Sequence, residues 1–199
     1  MLKKRFVFKK SRKGCYFIGT GKDGRDVYLD IQNQPGIILC ADNKQKKLEV
    51  LSQMVYSLEE DDKILIIWSD QSIQIDENCR EKIFASKSQT ESTANECGFS
   101  MFKELEKECK RRFESFGSVG VFKYDDYVKT EGTLKRIVLI MDEAGAKEFA
   151  SDAVKEACPL LFSIGFALGV CVVCYISKSQ SEIAKTLGYP AVLDIDEMF

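Results

Sequence analysis

At 199 residues with 45% hydrophobic content, the chain is long enough to bury a sizeable core as one α/β domain, which excludes a disordered chain. Its 29 basic and 31 acidic residues give a formal net charge of -2, so there is no global attraction to nucleic acid or to an anionic membrane, and only a local patch could supply one. The absence of histidine removes the commonest general base near neutral pH and the nitrogen ligands of zinc, leaving carboxylate, thiol or lysine chemistry.

The opening MLKKRFVFKKSRK is basic but has no apolar run long enough for export, so the expectation is a reducing cytoplasm in which the eight cysteines are free thiols. Short strands follow: RFVFKK, then CYFIGT, the turn GKDG, and VYLDI, a β-rich lead-in over residues 1–35. After the Pro35-Gly36 turn, IILCA reads as a buried strand, and Leu48, Leu51, Met54, Val55 and Leu58 mark one face of a helix. The acidic run EEDD ends that helix in solvent, and KILIIW starts the next buried strand.

Residues 70–98 are polar and irregular, and 86–96 (SKSQTESTANE) are expected to form a mobile loop. Phe102, Leu105, Cys109, Phe113 and Phe116 then give a helical stripe, opposite the charged face of KELEKECKRR. KYDDYVK is expected as a short helix, RIVLIMDE as a strand ending in two acids, and AKEFASDAVKEACPLLFSI as helix with a break near Pro159. The run from Pro159 to Ile176 is nearly free of charge and invites a transmembrane reading, but Gly165 and Gly169 divide it into a helix end and the β-rich LGVCVVCYI. Helix SQSEIAKTL and strand AVLDI complete the pattern. Strands alternating with helices, and apolar on both faces, predict a mostly parallel sheet covered on both sides: one domain over 1–199, with its core in 36–199.

Four short motifs carry candidate chemistry. GTGKDG, residues 19–24, spells a dinucleotide fingerprint, but a strand follows it rather than a helix, so it reads as a tight β-turn. VLIMDE puts Asp142 and Glu143 at the carboxyl end of a buried strand, where an acid can hold magnesium and its neighbour can activate a water. Residues 41–48 stand between strand and helix, where a phosphate loop belongs, yet they lack glycine; Lys44, Lys46 and Lys47 remain as a weak anion or phosphate contact. Cys171 and Cys174, three apart in a strand, point to opposite faces and are read as buried structural thiols.

GKDGRDVYLDIQNQPGIILCADNKQKKLEVLSQMVYSL, FKELEKECKRRFESFGSVGVFKYDDYV, RIVLIMDEAG and ALGVCVVCYISKS together resemble the FtsK/SpoIIIE-type DNA-motor domains of the P-loop NTPases, over residues 17–199. The resemblance implies a three-layer α/β fold of the RecA/FtsK type. It puts Lys47 at the Walker A lysine, Leu48 at the magnesium-binding hydroxyl, Asp142 at the magnesium-shell acid and Glu143 at the catalytic carboxylate. Ala41, Lys44 and Lys46 fall on the three glycine places.

With the Walker A glycines lost and the acidic pair kept, the resemblance implies a catalytically inactive FtsK-like domain that acts in protein interaction or assembly in a DNA-transfer, conjugation or secretion apparatus, without a bound cofactor. The implied partner is a protein, either an active motor subunit or further copies of the chain in a ring; DNA is a second candidate, and direct membrane insertion is not expected. One alternative is an ATP-dependent DNA translocase using ATP and Mg2+, with Lys47 on the phosphates, Asp142 on magnesium and Glu143 on the attacking water. Another is a nucleic-acid-binding module built on Lys44, Lys46 and Lys47 with Lys110, Arg111 and Arg112.

Overall fold

Five parallel strands form the centre of the computed structural model, which describes residues 15–59, 64–68, 91–189 and 191–199. The chain enters through an antiparallel hairpin, β1 (Cys15–Thr20) and β2 (Asp26–Asp30). Its turn is the expected one: the Gly21 amide donates to the Arg25 carbonyl at 2.7 Å, Asp23 Oδ1 accepts from the Arg25 amide at 3.0 Å, and Gly24 takes φ +77°. RFVFKK lies outside the described residues.

The main sheet begins with β3 (Gly36–Cys40), followed by α1 (Lys44–Glu59) and β4 (Ile64–Trp68). Then come α2 (Glu91–Ser118), α3 (Tyr124–Glu131), β5 (Ile137–Met141), and a broken helical run α4 (Glu143–Phe149), α5 (Asp152–Ala157) and α6 (Pro159–Ile164). β6 (Val170–Ile176), α7 (Ser181–Leu187), β7 (Ala191–Asp194) and the single turn α8 (Ile195–Met198) complete it. The strand order is β4-β5-β6-β3-β7, with every pairing parallel.

Every residue of β3, β5 and β6 is buried, as continuous Val/Ile/Leu runs require in a sheet covered on both faces. Ile37 and Leu39 pack with Val50, Leu51 and Met54 of α1 and with Tyr16, Ile18, Leu29 and Ile31 of the hairpin. Ile38 and Cys40 face the other way, onto a layer that includes Phe102 and Phe116 of α2, Phe149 of α4 and Leu161 of α6. The three-layer architecture is therefore observed, and Cys171 and Cys174 fall in opposite layers as the strand period requires. Burial pushes the Cys109 thiol up to about 12 and the Cys158 thiol up to about 11, which keeps both protonated and inert.

Three expectations need correction. Residues 91–96, expected in a mobile loop, are the first turns of α2, continuous with the helix that carries the apolar stripe from Phe102, and residues 86–90 lie outside the described residues. On α2 the buried stripe runs through Arg112 rather than Phe113, which is 49% exposed while Arg112 is 1% exposed. Each guanidinium nitrogen has an acceptor: Nε donates to Glu108 Oε1 at 2.7 Å, and the terminal nitrogens donate to the carbonyls of Leu168 at 2.9 Å and Lys135 at 2.8 Å. The helical run after β5 breaks at Ser151 as well as near Pro159, because the Ser151 hydroxyl accepts from the Val154 amide and restarts the helix as an N-cap. Among the described residues no helix is long and apolar enough to cross a membrane, and the stretch 159–176 is α6, a turn and the central strand β6.

Candidate functional site

Parallel strands send all their carboxyl ends to one edge of the sheet, and in open α/β folds the ligand crevice lies there. That edge gathers the exits of β3 (residues 41–43), β5 (Asp142), β6 (Ser177) and β7 (Asp194). Because β6 lies between β5 and β3, its exit is the natural bridge between the two candidate motifs.

The β3 exit is short. Only residues 41–43 separate Cys40 from the start of α1 at Lys44, whereas a Walker A signature spans about eight positions between strand and helix. Asn43 is the reason: its Oδ1 accepts from the amides of Gln45 at 3.0 Å and Lys46 at 3.1 Å, and its carbonyl accepts from the Lys47 amide at 3.0 Å. This is an N-cap, and it turns the first helical amides onto the chain's own oxygen atoms. The Ala41 amide continues the sheet ladder to the Ile176 carbonyl at 3.1 Å. The Asp42 amide donates to Asp196 Oδ2 at 2.8 Å, while Asp42 Oδ1 accepts from the Lys178 amide at 3.0 Å.

Asp196 belongs to a docked segment that leaves β7. Asp194 pairs with Cys40 in the sheet, and its Oδ1 accepts from the amides of Asp196 at 3.0 Å and Glu197 at 3.2 Å. Ile195 is fully buried, an anchor of about 1.5–3 kcal/mol. The Met198 carbonyl accepts from the Lys22 amide at 2.9 Å, and the Phe199 ring packs so closely on Gly19, at φ +154°, that no Cβ would fit there. Lysines from three parts of the chain close round the segment. Lys22 Nζ donates to the Asp196 carbonyl at 2.7 Å, Lys46 Nζ reaches the same oxygen at 3.5 Å, and Lys178 Nζ lies 2.8 Å from Asp194 Oδ2 and 3.6 Å from Asp196 Oδ2. The Asp42 amide, followed by Lys178, the Asn43 amide and Lys46, holds the Asp196 carboxyl below the usual aspartate value against the opposing effect of desolvation. It is therefore ionised at neutral pH.

The predicted lysines thus part company. Lys46 turns to Asp196, Lys47 lays its ammonium 5.5 Å from the centre of the Tyr175 ring as a cation–π contact, and the Lys44 side chain lies outside the described residues.

At the β5 exit both acids stand where the strand emerges. Asp142 Oδ1 accepts from the Gly145 amide at 3.0 Å and caps α4. Glu143 Oε2 accepts from the Ser177 hydroxyl at 2.8 Å, and its Oε1 from Lys147 Nζ at 3.1 Å. Burial raises the Glu143 carboxyl, but Ser177 and Lys147 more than offset this and leave it below the usual glutamate value, which favours the ionised form and weakens it as a base. The consecutive residues Ser177 and Lys178 join the two exits, one touching Glu143 and the other Asp42 and Asp194.

Ser177, Lys178, Asp194, Asp196 and Lys22 were not among the predicted site residues. Asn43 before a helix and Asp194 before Ile195-Asp196-Glu197 carry an N-cap signature that local reading can find. The contact between Asp42 and Asp196, 154 positions apart, has no local signal. Of the basic residues named for nucleic acid on α2, Arg112 is buried and Arg111 is paired with Glu108 at 2.7 Å, so neither offers a free cation.

No family model matches the chain, and no curated protein does. Solved structures do. The cytoplasmic domain of the type VII secretion ATPase EccC of Thermomonospora curvata superposes with a TM-score of 0.71 at 18% identity, over 91% of this chain and 23% of that one. The pCW3 conjugation coupling protein TcpA, in its monomer form with ATPγS, gives 0.64 at 14% identity, over 89% of this chain and 55% of that one. EssC (ATPases 2 and 3) of Geobacillus thermodenitrificans gives 0.60 at 13% identity, over 97% of this chain and 39% of that one. The fold is the one these ATPase structures share, a P-loop NTPase-like parallel sheet flanked by helices. The chain spans between about a quarter and just over half of these structures. At these identities the likeness is one of fold.

Proposed function

We propose that this FtsK-like domain does not hydrolyse nucleotide and serves in protein interaction or assembly within a secretion, conjugation or DNA-transfer apparatus. Its partner in this reading is an active motor subunit or another copy of the chain. The neighbours named as secretion and conjugation proteins support the setting. One observation carries the inactivity: the amides that should cradle a phosphate go to Asn43 Oδ1 and Asp196 Oδ2.

The donor set does not fit ATP and magnesium. A triphosphate arriving at the β3 exit meets the carboxylates of Asp42 and Asp196, Leu48 has no hydroxyl for a metal, and Asp142 is committed to the α4 cap. Titration calorimetry with Mg-ATP tests this. Silence at millimolar nucleotide is expected; micromolar binding abolished by Lys47→Ala would restore hydrolysis as the reading.

A second reading, an ATP-dependent translocase with an atypical loop, draws on the Asp142–Glu143 pair at the β5 exit. It requires DNA-stimulated release of phosphate from ATP that Glu143→Gln removes.

A further inference from the structure

We propose that residues 194–199 are an intramolecular anion plug, in which the Asp196 carboxylate takes the place at the β3 exit that a phosphate-bearing ligand needs, so that plug and anion exclude each other. The inference rests on reading residues 41–48 as the remnant of a phosphate loop.

The contacts are those of an anion cradle with a carboxylate in it. Asp196 Oδ2 accepts from the Asp42 amide at 2.8 Å, with the Asn43 amide beside it. Lys22 from the hairpin turn, Lys46 from α1 and Lys178 from the β6 exit converge on residues 194–196 although they come from three separate stretches of sequence. A convergence of this kind concentrates positive potential at one point, which a free anion would otherwise occupy.

The carboxylate is an incomplete occupant. Its Oδ1 is buried and has no hydrogen-bond partner among the described residues. What holds it is the tether. Asp196 sits two residues beyond its nearest sheet partner, Asp194, and the segment is fixed further on by Ile195, Met198 and Phe199. Flexible linkers present a tethered group at about millimolar effective concentration, and a tether this short and fixed exceeds that. Free anion at millimolar concentration therefore loses the competition in the native chain. Without the carboxylate, the two amides lose their acceptor and Lys178 loses its 3.6 Å partner, while Lys22 and Lys46 stay gathered at the Asp196 carbonyl beside the vacated place.

The experiment uses the full chain, inorganic triphosphate as the probe, and the variants Asp196→Ala and Asp196→Asn. Calorimetry is expected to show no binding by the native chain at millimolar triphosphate, and binding by Asp196→Ala at least tenfold tighter than that limit. The gain should be lost on adding Lys178→Ala or about 0.5 M salt, since screening is severe there. A folded Asp196→Ala that binds no better than the native chain overturns the plug. If Asp196→Ala does not fold, Asp196→Asn decides by hydrogen exchange: faster exchange at the Asp42 and Asn43 amides, with the Gln45 and Lys46 amides unchanged, supports the plug, and no change overturns it. Mg-ATP hydrolysis by the native chain would sink the non-hydrolysing reading; a silent native chain with silent variants sinks the plug alone.

Discussion

The exits of β3 and β5 lie on the same edge of the same sheet, one strand apart, and are built in different ways. At β5 two acids stand side by side, yet their oxygens are engaged: Asp142 caps α4, and Glu143 is shared by Ser177 and Lys147. At β3 the helix starts after only three residues, on an Asn43 cap with the Asp196 carboxylate beside it. Asp and Asn are good N-caps whatever else they do, so an acid at a strand-to-helix junction persists for structural reasons. The absence of glycine from residues 41–48, by contrast, limits what the backbone itself can enclose. An acidic pair at a strand end is therefore weaker evidence of catalysis than a glycine-rich loop.

The largest expected effect comes from undercutting the β3 exit. Ile195→Ala removes a fully buried side chain and should cost about 2–5 kcal/mol in urea unfolding. Amide exchange should quicken at Asp42 and Asn43 while the Gly145 amide stays protected. Equal loosening of both exits would show that they are one cooperative unit rather than two.

Asn43→Ala removes the α1 cap and should cost about 1 kcal/mol by the same measurement. A cost near zero would mean that the cap does not hold the loop shut.

Asp142 provides the matching test at β5. As a cap it should tolerate Asn within about 0.5 kcal/mol and lose about 1 kcal/mol as Ala, because Asn caps as well as Asp does. A magnesium-dependent rise in stability that Asp142→Asn abolishes would make it a ligand instead.

The smallest effect concerns protonation. Ser177→Ala deletes a hydrogen bond that lowers the Glu143 carboxyl, so its titration followed by carboxyl NMR should move up toward 4.5. A depressed carboxyl contributes stability that is present above its unfolded value and is lost as pH falls through the lower folded value. The variant should therefore lose part of the stability that native Glu143 supplies at neutral pH, and its difference from the native chain should vanish as pH falls well below 4.5. No upward movement would separate Ser177 from Glu143.

Much of the fold is legible in sequence because it follows from burial. IILCA, KILIIW, RIVLIM, GVCVVCYI and AVLDI are apolar runs of strand length between turn signals, and each becomes a strand. Arg112 misleads because charge argues for the surface, whereas its burial depends on the carbonyls of Leu168 and Lys135, which no local pattern reveals. The start of α2 is hidden for a similar reason: residues 91–96 are polar and carry little periodicity. At the site, the sequence singles out the 41–48 span and Asp142–Glu143. The occupant of the β3 exit arrives from the far end of the described chain, and only the parallel placement of β7 beside β3 brings it there.

The most direct test of the central claim is the amide NMR spectrum of residues 42–47 during titration with Mg-ATP. The account expects the signals of Asp42, Asn43, Gln45, Lys46 and Lys47 to stay in place at millimolar nucleotide. Saturable shifts of those amides at micromolar Mg-ATP, reporting a phosphate gripped by the backbone, would contradict it.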